Sequence, residues 1–271
     1  MDLIMYYCIS PDSVIEDKLK SIGVKYTVDE NRLTFKLVKD SEKFYTMSPY
    51  LPNRCIKWKE YTQKELFDAE WLTFRSHNMK LDAMNDNVIE FRCPQNPNLD
   101  RSSYHKKQTM PFEFKPIKWK NNNHIYSSYQ GGYYIMFCDD YAKDVIEKNK
   151  LSGLKFDKVI WYKKGISLPN AHQMCITNEL ENDSIVPDVH TTSETCPGCG
   201  KKIYITDSET NLQIKKSYLT KGIDFYTTSN IFGYGRHSVA NPELLISDRA
   251  YRVFKDLGLT RNLTFEPVVL I

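Results

Sequence analysis

Two stretches of the chain echo each other, and that echo limits the folds open to it. Residues 135–159 read IMFCDDYAKDVIEKNKLSGLKFDKV, and residues 243–268 read ELLISDRAYRVFKDLGLTRNLTFEPV. Asp140 matches Asp248, Ala142 matches Ala250, Val145 matches Val253, Ile146 matches Phe254 and Leu151 matches Leu259. After one extra residue, Leu154, Phe156 and Val159 match Leu263, Phe265 and Val268. Each copy reads as an apolar strand, a capped helix, a short turn and a second strand. Asp139 and Ser247 are the natural N-caps. Asp140 and Asp248 fall in the first helical turn, where the macrodipole favours acids. The pair is either a duplicated βαβ-like unit or two segments meeting the same packing needs. Under both readings the stretches are core, and they frame a long insertion, 163–242.

The N-terminal part follows similar grammar. Residues 2–10 favour a strand, and Ser10-Pro11-Asp12 offers an N-cap, a proline at the first helical position and an early acid. Val14, Ile15, Leu19 and Ile22 then recur at helical spacing until Gly23 stops them. YTV (26–28) and RLTFKLV (32–38) read as a hairpin across DENR. Thr62 and Glu65 form a capping box, with Tyr61 and Leu66 as its staple. Leu66, Ala69, Leu72 and Thr73 extend that helix toward residue 74. From 78 to 125 the pattern is irregular, with prolines at 94, 97, 111 and 116. The expected fold is α+β: a mixed β-sheet with flanking helices and a zinc-ribbon-like insertion. The expected domains are 1–125 and 126–271. With 271 residues, 41% of them hydrophobic, the chain can bury a core without crosslinks. No apolar run approaches the roughly 18 residues of a membrane span. The opening MDLIMYYCISPDS has no basic n-region, so no signal peptide is expected.

Residues 194–202, ETCPGCGKK, place Cys196 and Cys199 around a tight Pro-Gly turn. Such a knuckle supplies two of the four ligands of a structural zinc site. KKIYIT and LQIKK (201–206 and 212–216) read as a following hairpin, as in a zinc ribbon. His172 and Cys175 are the candidate second pair, and His190 is a competitor. The alternative for 173–176 is an ordinary strand, with Cys175 buried and His172 solvated. A redox role would need a strand-to-helix junction after the pair. A catalytic zinc would need an open position and a base, and only Glu194 is near. The other five cysteines, at 8, 55, 93, 138 and 175, are scattered singly, which suits a reducing cytoplasmic compartment.

The formal charge is only +3, yet it is unevenly spread. From Gly165 to Gly200 there is no Lys or Arg, while Glu179, Glu181, Asp183, Asp188 and Glu194 all fall there. That span is either a solvated loop or an acidic surface for a basic partner. Residues 101–120, RSSYHKKQTMPFEFKPIKWK, interleave Arg101, His105 and five lysines with Tyr104, Phe112, Phe114 and Trp119. They suit a nucleic-acid surface or an edge strand guarded by lysines. Gly-x-Ser-x-Gly, Walker, Gly-x-Gly-x-x-Gly and His-Glu-x-x-His motifs are all absent, so an enzyme is not expected.

Five stretches together resemble the bacterial double-CXXCG motif proteins: ELFDAEWLTFRSHNMKLD (65–82), FCDDYAKDVIEKNKLSGLKFDKV (137–159), CPGCG (196–200), GIDFYTTSNIFGYGR (222–236) and LLISDRAYRVFKDLGLTRNLTFEPV (244–268). That group is similar to immunity proteins of polymorphic toxin systems. One CXXCG is present here, not two, and His172-Gln173-Met174-Cys175 is the candidate remnant of the other. The resemblance implies a cytoplasmic protein that binds and neutralises a cognate protein toxin by stoichiometric occlusion. The alternative is a zinc-ribbon nucleic-acid-binding protein using 101–120.

Overall fold

A computed structural model describes the chain except residues 53–55, 77–80, 82, 86, 87, 91, 101–104, 106, 121, 131, 132, 188–190, 206–210 and 234–240. The fold is α+β with several mixed sheets. Among the described residues, no helix is long and apolar enough to cross a membrane. The chain divides into two units, Met1–Glu65 and Leu66–Ile271. The boundary expected at 125/126 instead falls inside the second unit, at the start of a strand, Ile125–Gln130.

In the first unit, β1 (Asp2–Ile9) leads into α1 (Ser13–Ser21), followed by β2 (Tyr26–Val28), β3 (Leu33–Val38), α2 (Glu42–Met47) and β4 (Ile56–Glu60). The N-cap is Asp12 rather than Ser10: its Oδ1 accepts from Val14 N at 2.8 Å and Ile15 N at 3.2 Å. A carboxylate two residues nearer the helix is the stronger acceptor for its free amides. The expected 26–38 hairpin is present as antiparallel β2 and β3. The sheet order is β2-β3-β1-β4, and Ile15 and Leu19 pack onto Met5, Tyr7, Leu33, Phe35 and Leu37.

Thr62 and Glu65 form the expected capping box, with Thr62 N 2.8 Å from Glu65 Oε2 and Glu65 N 3.2 Å from Thr62 Oγ1. The helix they start, α3 (Gln63–Asp68), ends well short of residue 74, and β5 (Trp71–Ser76) takes over. Trp71, Leu72, Thr73 and Phe74 are all buried. A strand covered on both faces has a continuous apolar run, which imitates the end of a helix.

The second unit continues through the short strands β6 (Ile89–Glu90), β7 (Arg92–Cys93), β8 (Asn96–Asp100), β9 (Lys107–Gln108) and β10 (Glu113–Phe114). Next come β11 (Ile125–Gln130), β12 (Tyr133–Cys138), α4 (Asp140–Lys148), β13 (Leu154–Trp161), β14 (Ile166–Ile176) and β15 (Glu179–Leu180). Then follow β16 (Thr192–Thr195), β17 (Lys202–Ile205), β18 (Gln213–Ile214), β19 (Phe225–Gly233), β20 (Asn241–Ser247), α5 (Asp248–Asp256), β21 (Leu263–Pro267) and β22 (Val269–Leu270). One sheet runs β10-β13-β14-β12-β11; another runs β16-β17-β19-β20-β5-β21, with β15 on β19.

The echo is structural. In each copy the strands before and after the helix are separated by one strand antiparallel to both: β14 between β12 and β13, and β5 between β20 and β21. This is a split βαβ unit. A hairpin partner, β11 or β19, lies outside the strand before the helix. The first unit repeats the pattern, with β3 between β1 and β2 and β4 outside β1. All three helices have nine residues and side-chain N-caps, at Asp12, Asp139 and Ser247. All three end in left-handed residues, Gly23, Lys150 and Gly258. Three apolar positions recur in register: Ile15, Leu19 and Val24; Ala142, Ile146 and Leu151; Ala250, Phe254 and Leu259.

In the second unit α4 and α5 share one core with inward residues of both sheets, among them Leu72, Phe74, Met136, Cys138, Phe225 and Phe265. Ile135 and Phe137, the alternate residues of β12, point to a second core with Phe112, Phe114 and Val159. The copies meet at Asp224, which is buried. Its carboxylate accepts from Ser152 N and Ser247 Oγ, each at 2.8 Å, and from the Arg249 guanidinium. Burial pushes that carboxyl up, but these donors outweigh it and hold the pKa below the ordinary value. Arg249 also donates to the carbonyls of Asn149 and Lys150, at the end of α4. Beside this joint Gly153 (φ +93°) lets β13 approach β19: a Cβ there would lie 2.5 Å from the Phe225 carbonyl oxygen.

Candidate metal centre

The Pro-Gly turn of the knuckle joins antiparallel β16 and β17, with Thr195 opposite Lys202. Cys196 N donates to Lys201 O at 2.8 Å, and Gly200 N donates to Cys196 O at 2.9 Å. Gly200 sits at φ +75°, a region glycine enters without Cβ strain, so the chain can turn back into β17. The hairpin therefore carries the knuckle at its tip. It does not follow the knuckle as the 201–206 and 212–216 reading expects; β18 pairs in parallel with β22 instead.

Cys93 and His105 complete the cluster, so that four ligand atoms lie within 4.8 Å of one another. Cys93 ends β7, and His105 follows β8. Cys196 Sγ lies 3.9 Å from Cys93 Sγ, and His105 Nε2 lies 3.4 Å from Cys196 Sγ and 3.3 Å from Cys199 Sγ. A tetrahedral ion about 2.3 Å from sulfur and about 2.0 Å from nitrogen sets S–S edges near 3.8 Å and S–N edges near 3.5 Å. The observed edges match both. Cys93, His105 and Cys196 are buried and Cys199 is half-buried.

The two knuckle thiols diverge: burial, with the neighbouring Cys196 and Cys93 thiols, holds the Cys199 pKa above the ordinary value. Burial raises the Cys196 thiol pKa, but the backbone N–H groups of Cys199 and Gly198 outweigh it and bring it below the ordinary value. Burial, and then the charge of Lys201, holds the His105 imidazole low and neutral, as a ligand must be. These four residues can hold a metal ion.

The structure puts the expected second pair elsewhere. His172 and Cys175 lie on β14, between β12 and β13. His172 Nε2 is 2.7 Å from Asp140 Oδ1, and the Cys175 thiol donates to Asp157 Oδ2 at 3.2 Å. Burial and that hydrogen bond push the Cys175 pKa up to about 12, far from the thiolate a metal needs. His190 lies outside the described residues. One signal for the pair that joins the knuckle is present in the sequence: Cys93-Pro94 repeats Cys196-Pro197, and Cys93 opposes Asn96 across a tight turn. His105 is hidden among the basic residues around it.

Glu179, Glu181, Asp183 and Glu194 are exposed, and Asp188 lies outside the described residues. Glu179 reaches Lys201, beside the knuckle, at 3.9 Å. In the 101–120 stretch, Phe112 and Phe114 are buried in a core, so neither ring can stack on a base. Trp119 stacks on Tyr126 and donates to Asn170 O. Arg101, Tyr104 and Lys106 lie outside the described residues. Scans against family models, curated proteins and solved structures each found no match.

Proposed function

We propose that this chain is an immunity protein braced by a structural zinc ion, and that it neutralises a cognate bacterial toxin by stoichiometric occlusion. The observation that carries the metal half is the closed S₃N set of Cys93, His105, Cys196 and Cys199. Three thiolates and an imidazole in a tetrahedron favour zinc over harder ions. A catalytic zinc keeps one coordination position for water or substrate, and four protein ligands fill them all. Bound there, zinc would supply a crosslink between β7–β8 and the β16–β17 hairpin.

The partner half rests on the resemblance to double-CXXCG proteins and on the exposed acids Glu179, Glu181, Asp183 and Glu194, of which Glu179 and Glu194 flank the knuckle. An acidic face suits a basic partner, and its field would speed and orient the encounter. The metal is tested by elemental analysis of the purified protein, with one zinc per chain expected. Cys93→Ser and Cys196→Ser should lose it, while His172→Ala and Cys175→Ser should keep it; zinc that tracks 172 and 175 would overturn this ligand set. The partner is tested by co-expression with candidate toxins encoded by neighbouring genes. Protection that disappears with Glu179→Lys, Glu181→Lys and Asp183→Lys together supports the acidic contact. Full vulnerability of cells carrying the unaltered chain would overturn the immunity reading.

A further inference from the structure

Two segments of this chain contain no acid at all. Residues 114–138 carry Lys115, Lys118 and Lys120 and no Asp or Glu; residues 158–178 carry Lys158, Lys163 and Lys164 and no Asp or Glu. The fold joins them. β10 pairs in parallel with β13, with Phe114 opposite Trp161, and Tyr162 N donates to Phe114 O at 3.0 Å. Trp119 Nε1 donates to Asn170 O at 2.7 Å, which fixes 115–120 against the start of β14. Ile117, Trp119 and Trp161 pack on one core beneath. All six lysines are exposed, and none has a carboxylate partner among the described residues.

Edge protection explains Lys115 and Lys118, which follow the short edge strand β10. It does not explain Lys163 and Lys164 in the β13–β14 turn. That turn also presents apolar surface. Tyr162 and Ile166 are exposed, and Lys164 Nζ lies 4.0 Å from the centroid of the Trp161 ring. Exposed cations on two segments that the sheet joins, with exposed Tyr162 beside Lys163, match an unpaired strand of nucleic acid: lysines for its phosphates, the ring for a base. An acidic protein would use the cations but needs no aromatic platform.

We propose that this lysine-rich end of the sheet, with exposed Tyr162, binds single-stranded nucleic acid through its backbone, independently of sequence. The proposal goes beyond the immunity reading and requires neither the toxin nor the metal. The test is fluorescence anisotropy of the full chain with a labelled single-stranded 20-mer DNA. If about five phosphates are neutralised, affinity should fall about a hundredfold between 50 and 200 mM salt. Lys118→Gln with Lys120→Gln, and Lys163→Gln with Lys164→Gln, should each flatten that dependence, by about 0.7 in log–log slope for every phosphate left without its lysine. Tyr162→Ala should weaken binding about tenfold, and Lys148→Gln with Lys255→Gln, on the helices, should change nothing. Thermal unfolding checks that each variant folds. The proposal is overturned if no binding is seen at 50 mM salt, or if the variant lacking all four lysines binds as tightly as the parent. Tighter binding of poly-glutamate than of the oligonucleotide would also overturn it, by assigning that end of the sheet to acidic protein.

Discussion

In the copy built on α4, the strand that completes the sheet, β14, follows β13 after a short turn. In the copy built on α5 that place is taken by β5, which lies near the start of the second unit. The frames are alike, but one closes locally and the other waits for a distant strand. Their helix starts differ too. Asp139 caps α4 and its second oxygen lies 2.8 Å from His124 Nδ1. Ser247 caps α5 and donates to buried Asp224, which Arg249 neutralises. The lesson is that a repeated frame fixes helix, caps and strand order, while each copy finds its own closing strand and its own partner for the capping group.

The joint between the two copies is the most sensitive place in the second unit. Gly153→Ala would force a side chain against the Phe225 carbonyl at a left-handed φ, and should cost about 3 kcal/mol or more in chemical denaturation. Gly258→Ala, with nothing within 4 Å of its Cβ, should cost only about 1 kcal/mol. Arg249→Ala leaves Asp224 buried without its cation; because Arg249 is half exposed, about 2 kcal/mol is the expected loss. Asp224 titrates below its ordinary value in the folded state, so its contribution is present at neutral pH and is lost as pH falls through the folded pKa, below about pH 4. Asp224→Asn should therefore flatten the acid limb of a stability–pH curve. Ser247→Ala should cost about 1 kcal/mol as a lost cap, measured the same way. The smallest effect runs the other way: Lys150→Gly, at φ +50°, should stabilise by about 0.5–1 kcal/mol, because the copies at Gly23 and Gly258 already use glycine there.

What can be read in the sequence is local. The caps at Asp139 and Ser247, the Thr62–Glu65 box, the 26–38 hairpin and the knuckle at Cys196 depend on residues a few positions apart. The repeat in the first unit stays hidden because only spacing is shared: Ile15, Leu19 and Val24 stand where Ala142, Ile146 and Leu151 stand. Trp71–Ser76 reads as the end of a helix because burial on both faces removes the period that marks a strand. Cys93, beyond its Cys-Pro echo, and His105 are not legible as partners of the knuckle for a different reason. They sit 103 and 91 residues from Cys196, and only sheet assembly brings them together. Cys175 and His172, closer in sequence to the knuckle, are held on β14 by pairing with its neighbours.

The borrowed strand has a consequence during synthesis. Trp71, Leu72 and Phe74 leave the ribosome early, but their two sheet neighbours, residues 241–247 and 263–267, are the last strands of this frame to be made. At ordinary elongation rates that interval is on the order of ten to thirty seconds. Through it, a short and very apolar strand has both edges open to other nascent chains.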